Sequence, residues 1–288
     1  MSNIKGIVFK SWKTFLTKLH LIDRHTIYFE GGLGSQILSF IEFQEKTKNS
    51  DKPVSVNLDY FLGVSSDYTN EAGLSMWSWK LNHYGIDQSI FKQENFYKKL
   101  FKKYLLTRSN SISEVFYNFR ETKKQQYEKS FPINKIAIST YLESIVGYKN
   151  VEYCVVHMRR GDYLNVASKV ITVDELTRLI QKIKHLLPRI ILISSDSYLT
   201  LVEKEKLAEY LPGFTYKYIE PSESLFLVHD LMRTSKVLIA SNSTFSFSAG
   251  LLANDDCLVF FPTKYFGEGL RSDSRAFAFR QPFEYLIN

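Results

Sequence analysis

Cysteine is nearly absent: Cys154 and Cys257 are the only two in 288 residues, and both sit inside apolar, strand-like runs. They read as buried free thiols, which fits a reducing compartment. Neither has a Cys or His at ligand spacing, so no structural zinc site is expected. No stretch approaches about eighteen uninterrupted apolar residues, which excludes an ordinary membrane span. Lysines interrupt the first apolar residues, so no cleavable signal peptide is expected.

What the chain does contain is ordinary for a soluble globular protein, with 44% hydrophobic and 23% charged residues. Its length can bury a large core, and two domains of usual size are expected. A formal net charge of +7 favours anionic ligands or surfaces without choosing among nucleotides, anionic lipid and nucleic acid. At the N-terminus Ile4, Val8, Trp12, Phe15, Leu16 and Leu19 recur at helical spacing among Lys5, Lys10, Lys13 and Lys18. That pattern suits a helix lying on an anionic membrane surface, and equally a helix packed on the protein itself or a partly ordered tail.

The most informative segment is Val155-Val156-His157-Met158-Arg159-Arg160-Gly161-Asp162-Tyr163, an apolar run that delivers two guanidinium groups to its end. Arginine forks match diphosphate oxygens, so the pair points to a phosphorylated ligand; surface ion pairing is the plain alternative. A second apolar run, 236 to 240, leads through Ser241 and Asn242 to Ser243-Thr244-Phe245-Ser246 and a helix. Small hydroxyl residues at such a turn cap the helix and can expose its first N–H groups as an anion site.

A third strand-like segment, 25 to 30, runs into Gly31-Gly32-Leu33-Gly34-Ser35-Gln36, where glycines allow a sharp turn and close approach. It is not a dinucleotide fingerprint: Ile37 occupies the third glycine position, and Asp59 lies beyond the usual place for the acidic partner.

From residue 151 onward, apolar runs at 153 to 158, 189 to 194, 214 to 219, 236 to 240 and 257 to 261 alternate with helical stretches. The first helix carries a capping box, Thr172 with Glu175, and repeats Leu176, Leu179, Ile180, Ile183 and Leu187 along one face. This is a βαβ series, hence an α/β fold with a parallel sheet. Ligands of such sheets gather at the carboxyl ends of the strands, and Arg159, Asp196 and Ser243 each follow such an end. The first half reads as strands at 25 to 30 and 54 to 60 around a helix at about 35 to 48. A loop with Trp77 and Trp79 follows, then helical stretches to about 146, with a boundary at Gly147 to Asn150.

Together HMRRGDY at 157 to 163, NSTFS at 242 to 246 and GGLGSQ at 31 to 36 resemble the alpha-1,2-fucosyltransferases. These are inverting enzymes that move L-fucose from GDP-fucose onto a galactoside hydroxyl, and the likeness is to the bacterial O-antigen or surface-glycan type. Echoes lie in order at Trp79 to Ile86 and at Ser194-Ser195-Asp196. Departures are Ser35 where the family usually has Asn, Phe247 to Gly250 where it has tryptophans and alanines, and Asp230 closer than usual to Leu231-Met232. The resemblance implies a GT-B fold, two Rossmann-like domains facing across a cleft. An acceptor-side domain would span 1–146, including the basic extension 1–24, and a nucleotide-sugar domain 151–262. A tail, 263–288, would pack back on the first domain.

The resemblance further implies donor contacts at His157, Arg159, Arg160, Asp196, Asp230, Asn242, Ser243, Thr244 and Phe245. Gly32, Gly34, Ser35 and Gln36 would form a loop at donor and acceptor. Arg159 would stabilise the leaving diphosphate, and Asp162 or Glu30 would serve as base, although local ion pairing or turn geometry accounts for either carboxylate as well. Asp196 and Asp230 could read guanine or ribose, with helix capping as the alternative, and Trp77 and Trp79 could be a sugar platform or core. No Asp-x-Asp pair occurs, so neither metal nor cofactor is expected. The implied partners are GDP-fucose and a galactose-terminated glycan or glycolipid, with cytoplasmic placement and peripheral contact at the inner membrane face left open. Two other classes stay in view, a Rossmann-type oxidoreductase and a non-catalytic glycan- or nucleic-acid-binding protein. Against the latter, the tripeptide Arg160-Gly161-Asp162 directly follows a buried-looking strand, and no basic cluster is interleaved with stacking aromatics, so no nucleic-acid partner is expected.

Overall fold

The computed structural model describes residues 26–49, 51, 53–61, 69–70, 72–76, 78–91, 127–161, 172–210 and 212–261. The expectations placed on 1–24, Trp77, Asp162 and 263–288 therefore lie outside the described residues. Within them the α/β class expected from the sequence is borne out by two parallel sheets.

The first sheet is a βαβ unit. Strand β1 (Thr26–Tyr28) pairs in parallel with β2 (Ser55–Asn57), Ile27 opposite Val56, and helix α1 (Leu33–Lys48) makes the crossover. Leu33, Ile37, Leu38, Phe40 and Ile41 turn one face of α1 into the core, as the 3.6-residue repeat requires. The strand expected over 54–60 stops at Asn57, and 59–61 form a helical turn instead. The helical stretches expected up to 146 reduce, among the described residues, chiefly to short turns at Leu81–Tyr84 and Gln88–Ile90 and to helix α2 (Lys135–Val146).

The second sheet holds β3 (Tyr153–Met158), β4 (Ile190–Ser195), β5 (Thr215–Ile219), β6 (Val237–Ile239) and β7 (Leu258–Phe260). All its pairings are parallel, in the order β5-β4-β3-β6-β7. The central strand β3 is buried at every position, which is why it reads as an unbroken apolar run rather than an alternation. Helices α3 (Val173–Ile183), α4 (Leu201–Tyr210) and α5 (Leu225–Thr234) make the crossovers, and α6 (Thr244–Leu251) follows β6. The capping box is present: Thr172 Oγ1 accepts from Glu175 N at 3.2 Å, and Glu175 Oε2 accepts from Thr172 N at 2.9 Å.

Chain order places β3, β4 and β5 outward in one direction and β6 and β7 in the other, so winding reverses between β3 and β6. At such a switch point two adjacent crossovers leave in opposite directions and open a crevice beyond the strand ends. This topology, which the sequence pattern alone does not supply, decides where a ligand can sit.

Candidate active site

A cavity of ≈ 660 Å³ lies at that crevice. The carboxyl ends of three strands line it: His157 and Arg159 from β3, Ser194, Ser195 and Asp196 from β4, and Glu220 just past β5. Ser243, Thr244 and Phe245 at the start of α6 complete this side, and Glu30 through Ser35 form a wall from the β1–α1 turn.

Two helix N-termini thus converge on one space. Gly32 is the N-cap of α1 and has no side chain to offer, so the first-turn N–H groups gain no side-chain acceptor there. Ser243 caps α6, its hydroxyl accepting from Phe245 N at 3.3 Å. The positive ends of both helices favour an anion in the cavity. The helices meet at Gly34, where an added Cβ would lie 2.3 Å from Thr244 O and 2.4 Å from Phe245 N. Ser35 Oγ and Thr244 Oγ1 share a hydrogen bond of 3.0 Å across the same seam. The glycine loop therefore serves close helix approach, as well as the turn at Gly31 (φ +72°).

Among the described residues that line the cavity, the cation is Arg159. Its Nη1 lies 2.9 Å from Asp196 Oδ2, with only 13% of the side chain exposed. Asp196 Oδ1 meanwhile accepts the Arg160 backbone N–H at 2.7 Å. Both oxygens of Asp196 are thus engaged in shaping the end of β3 and aiming Arg159, and the residue also lines the cavity.

His157 is buried beside it, its Nδ1 2.7 Å from Ser241 Oγ. Burial, reinforced by the Arg159 charge, pulls its pKa down to about 3. His229, on α5, is fully buried against Ser248 and the Phe245 ring, and burial likewise lowers its pKa well below the ordinary value. The unfolded chain protonates both imidazoles near pH 6.5 while the folded chain refuses the proton, so stability is lost as pH falls below that value. Each histidine contributes a slope of up to roughly 1.4 kcal/mol per pH unit. Urea midpoints are expected to drop between about pH 7 and pH 5, and less steeply in a His229→Gln variant. Equal midpoints at the two pH values would contradict this.

Several residues expected at the ligand turn away from it. Arg160 pairs with Glu203, which caps α4 through Thr200, so its guanidinium anchors a helix. Asp230 is buried in α5, accepting from Arg233 Nη1 at 3.3 Å and from Asn134 N at 2.9 Å, and burial raises its pKa. Asn242 is fully buried and does not line the cavity. Gln36 donates to Gly31 O and Ser78 O, both at 2.9 Å, and accepts from Lys80 N, lacing the glycine loop to 78–80. Trp79 packs among Phe29, Phe61 and Phe91 and donates its Nε1–H to Ile86 O, so it is core rather than platform.

Sequence reasoning missed Tyr60, Glu220 and Glu223 on the cavity wall. Glu220 was findable, since it follows an apolar run as Asp196 does. Tyr60 and Glu223 carry no such signal.

The model of glycosyl transferase family 11 matches residues 81–282, well over half of the sequence. The chain belongs to glycosyl transferase family 11. No curated protein matches this family 11 chain. Among solved structures, it is similar to POFUT1 in complex with GDP (13% and 14% identity) and in complex with GDP-fucose (12% identity), each with a TM-score of 0.33. The alignments cover 52% to 55% of this chain and 49% to 52% of those, so the family 11 chain spans about half the length of the solved structures it matches. The family match covers the β3 and α6 motifs and leaves the glycine loop outside it. Among the described residues no helix is long and apolar enough to cross a membrane.

Proposed function

We propose that the protein transfers L-fucose from GDP-fucose to the 2-hydroxyl of a galactoside, with inversion and without a metal ion. The observation that carries this reading is Arg159, held by Asp196 inside the switch-point cavity between two converging helix N-termini. A sugar leaving a nucleoside diphosphate loads negative charge onto the diphosphate as the glycosidic bond breaks. Fixed cations and N–H dipoles already aimed at that charge stabilise the transition state without reorganising. Arg159 supplies the cation and the starts of α1 and α6 supply the dipoles. The cavity volume falls within the range of about 300–1,000 Å³ usual for small-molecule sites.

Inversion requires a group to take the acceptor proton. Glu30 lines the β1 side of the cavity and is our candidate, with Asp162, two residues beyond Arg160, as the second. Fucose, the alpha-1,2 linkage and the galactoside rest on the sequence likeness, as does the two-domain GT-B arrangement. A surface-glycan role with the N-terminal extension on a membrane follows from its basic amphipathic pattern. Deleting residues 1–20 is expected to lower recovery with anionic vesicles, and unchanged recovery would remove that part.

The first test is calorimetry of GDP-fucose binding in EDTA, with GDP-mannose and NAD as comparators. Selective metal-free binding of the guanine nucleotide sugars is expected. Binding of NAD alone, or of neither guanine compound by folded protein, would overturn the reading.

A further inference from the structure

We infer that Glu220 and Glu223 read the nucleobase: the nucleotide lies across the rim of the second sheet, diphosphate at Arg159 and base toward β5, where the two carboxylates accept from the guanine N1–H and amino group. The ligand named here rests on the GDP-fucose reading; which wall meets which end of it rests on the charge distribution of the cavity.

The cavity is polarised. Arg159 and the starts of α1 and α6 stand at its β3 side, and Glu220 and Glu223 at its β5 side. Among the described residues neither glutamate side chain has an ion pair or a hydrogen bond, whereas Asp196 and Asp230 both pair with arginines. Carboxylates without counter-ions repel a diphosphate and accept from donors, so the anionic part of a ligand is driven to one end and a neutral, donor-bearing part to the other. Strand β4 lies between β3 and β5, which sets the two ends two strand spacings apart, roughly 10 Å. One sugar ring bonded directly to the phosphate is shorter than that gap, and a base carried on a ribose spans it.

Ser194 points to the same path independently. It is 4% exposed, lines the cavity, and its hydroxyl has no hydrogen-bond partner among the described residues. Its register partners are His157 on β3 and Ile219 on β5, so it sits midway between the two ends. A buried hydroxyl left unpaired costs free energy, and a ligand crossing β4 supplies the partner. Leu225 and Val228, in the first turn of the helix that follows β5, also line the cavity and offer a flat base an apolar surface. The turn carrying the carboxylates is fixed in advance: Glu223 N donates to Glu220 O at 3.0 Å, and Asn70 Nδ2 donates to Pro221 O at 2.9 Å. Burial, then the charges of Glu223 and Glu220, push the Tyr141 hydroxyl up to about 12, so both carboxylates lie near one neighbour. Acceptors held in place in this way cost little ordering when the base arrives.

The test is calorimetry on the full chain with GDP, IDP, which lacks the amino group, 2′-deoxy-GDP and inorganic pyrophosphate. Wild type is expected to bind GDP more tightly than IDP, and 2′-deoxy-GDP as tightly as GDP. Combining Glu220→Gln with Glu223→Gln is expected to weaken GDP on the order of tenfold or more and to narrow its lead over IDP, while pyrophosphate binds as well as before or better. Retained pyrophosphate binding shows that the variant is folded, and a merely structural role would weaken both ligands together. Four results overturn the inference: wild-type GDP affinity in the double variant, equal loss of GDP and pyrophosphate, a loss that 2′-deoxy-GDP escapes, which would give the carboxylates to the ribose, or a wild type that binds GDP no better than IDP. A folded wild type that binds neither GDP nor pyrophosphate overturns the donor reading instead, and that failure is told apart because it is seen before any substitution is made.

Discussion

Replacing Gly34 by alanine is expected to destabilise the protein by more than about 3 kcal/mol and to abolish nucleotide binding at concentrations that saturate the wild type. The added methyl carbon would meet Thr244 O at 2.3 Å, Thr244 C at 2.4 Å and Phe245 N at 2.4 Å. These are backbone atoms in the first turn of α6, so no rotamer change relieves the clash, and the two helix starts must part. Parting them displaces the N–H groups of both helices from the space they share. Ser35→Ala is the control, since it removes the 3.0 Å bond to Thr244 without adding volume and should cost only about 1 kcal/mol. Urea denaturation and GDP calorimetry on both variants check the prediction. A Gly34→Ala protein with wild-type midpoint and affinity would mean that the seam is unimportant.

Arg159→Ala is expected to lower the transfer rate on the order of a hundredfold or more, mainly in kcat, because the guanidinium interacts most strongly with charge that develops as the bond breaks. Its removal also leaves Asp196, 7% exposed, without its counter-ion, so circular dichroism must accompany the kinetics. Arg159→Lys keeps a charge and loses the planar fork, and an intermediate rate is expected. Arg160→Ala should act through stability instead, its partner being Glu203 on α4. Equal rate losses for the Arg159 and Arg160 variants, both folded, would refute the division of labour between them.

The second sheet was legible because parallel strands buried on both faces appear as apolar runs, and helices such as α3 announce themselves by caps. The rim was legible too, since a polar residue just past an apolar run falls at a strand end. What could not be read was the direction in which each rim residue points. Arg159 and Arg160 are neighbours of one type, yet one faces the cavity and the other a helix, and the difference is Glu203, 43 residues away. Asp230 and Trp79, each left open between a ligand and a structural role, are placed by such partners too: Asp230 accepts from Asn134, 96 residues away, and Trp79 packs on Phe29, Phe61 and Phe91. The first half was less legible: among the described residues the strand expected over 54–60 stops at Asn57, and the expected helical stretches shrink chiefly to short turns and α2.

The bond between His157 and Ser241 joins residues 84 apart in the chain, across the strand pair where the winding reverses. Pairing of β3 with β4 needs a much shorter loop to close. During synthesis the β3–β4–β5 half-sheet can therefore form while β6 and α6 are still being made. Until they emerge, the edge of β3 that β6 covers in the folded chain has no strand partner. Of the crevice's walls, the start of α6 is made after β3, β4 and β5, so on the ribosome the crevice stays open on that side until residues 243 to 245 emerge.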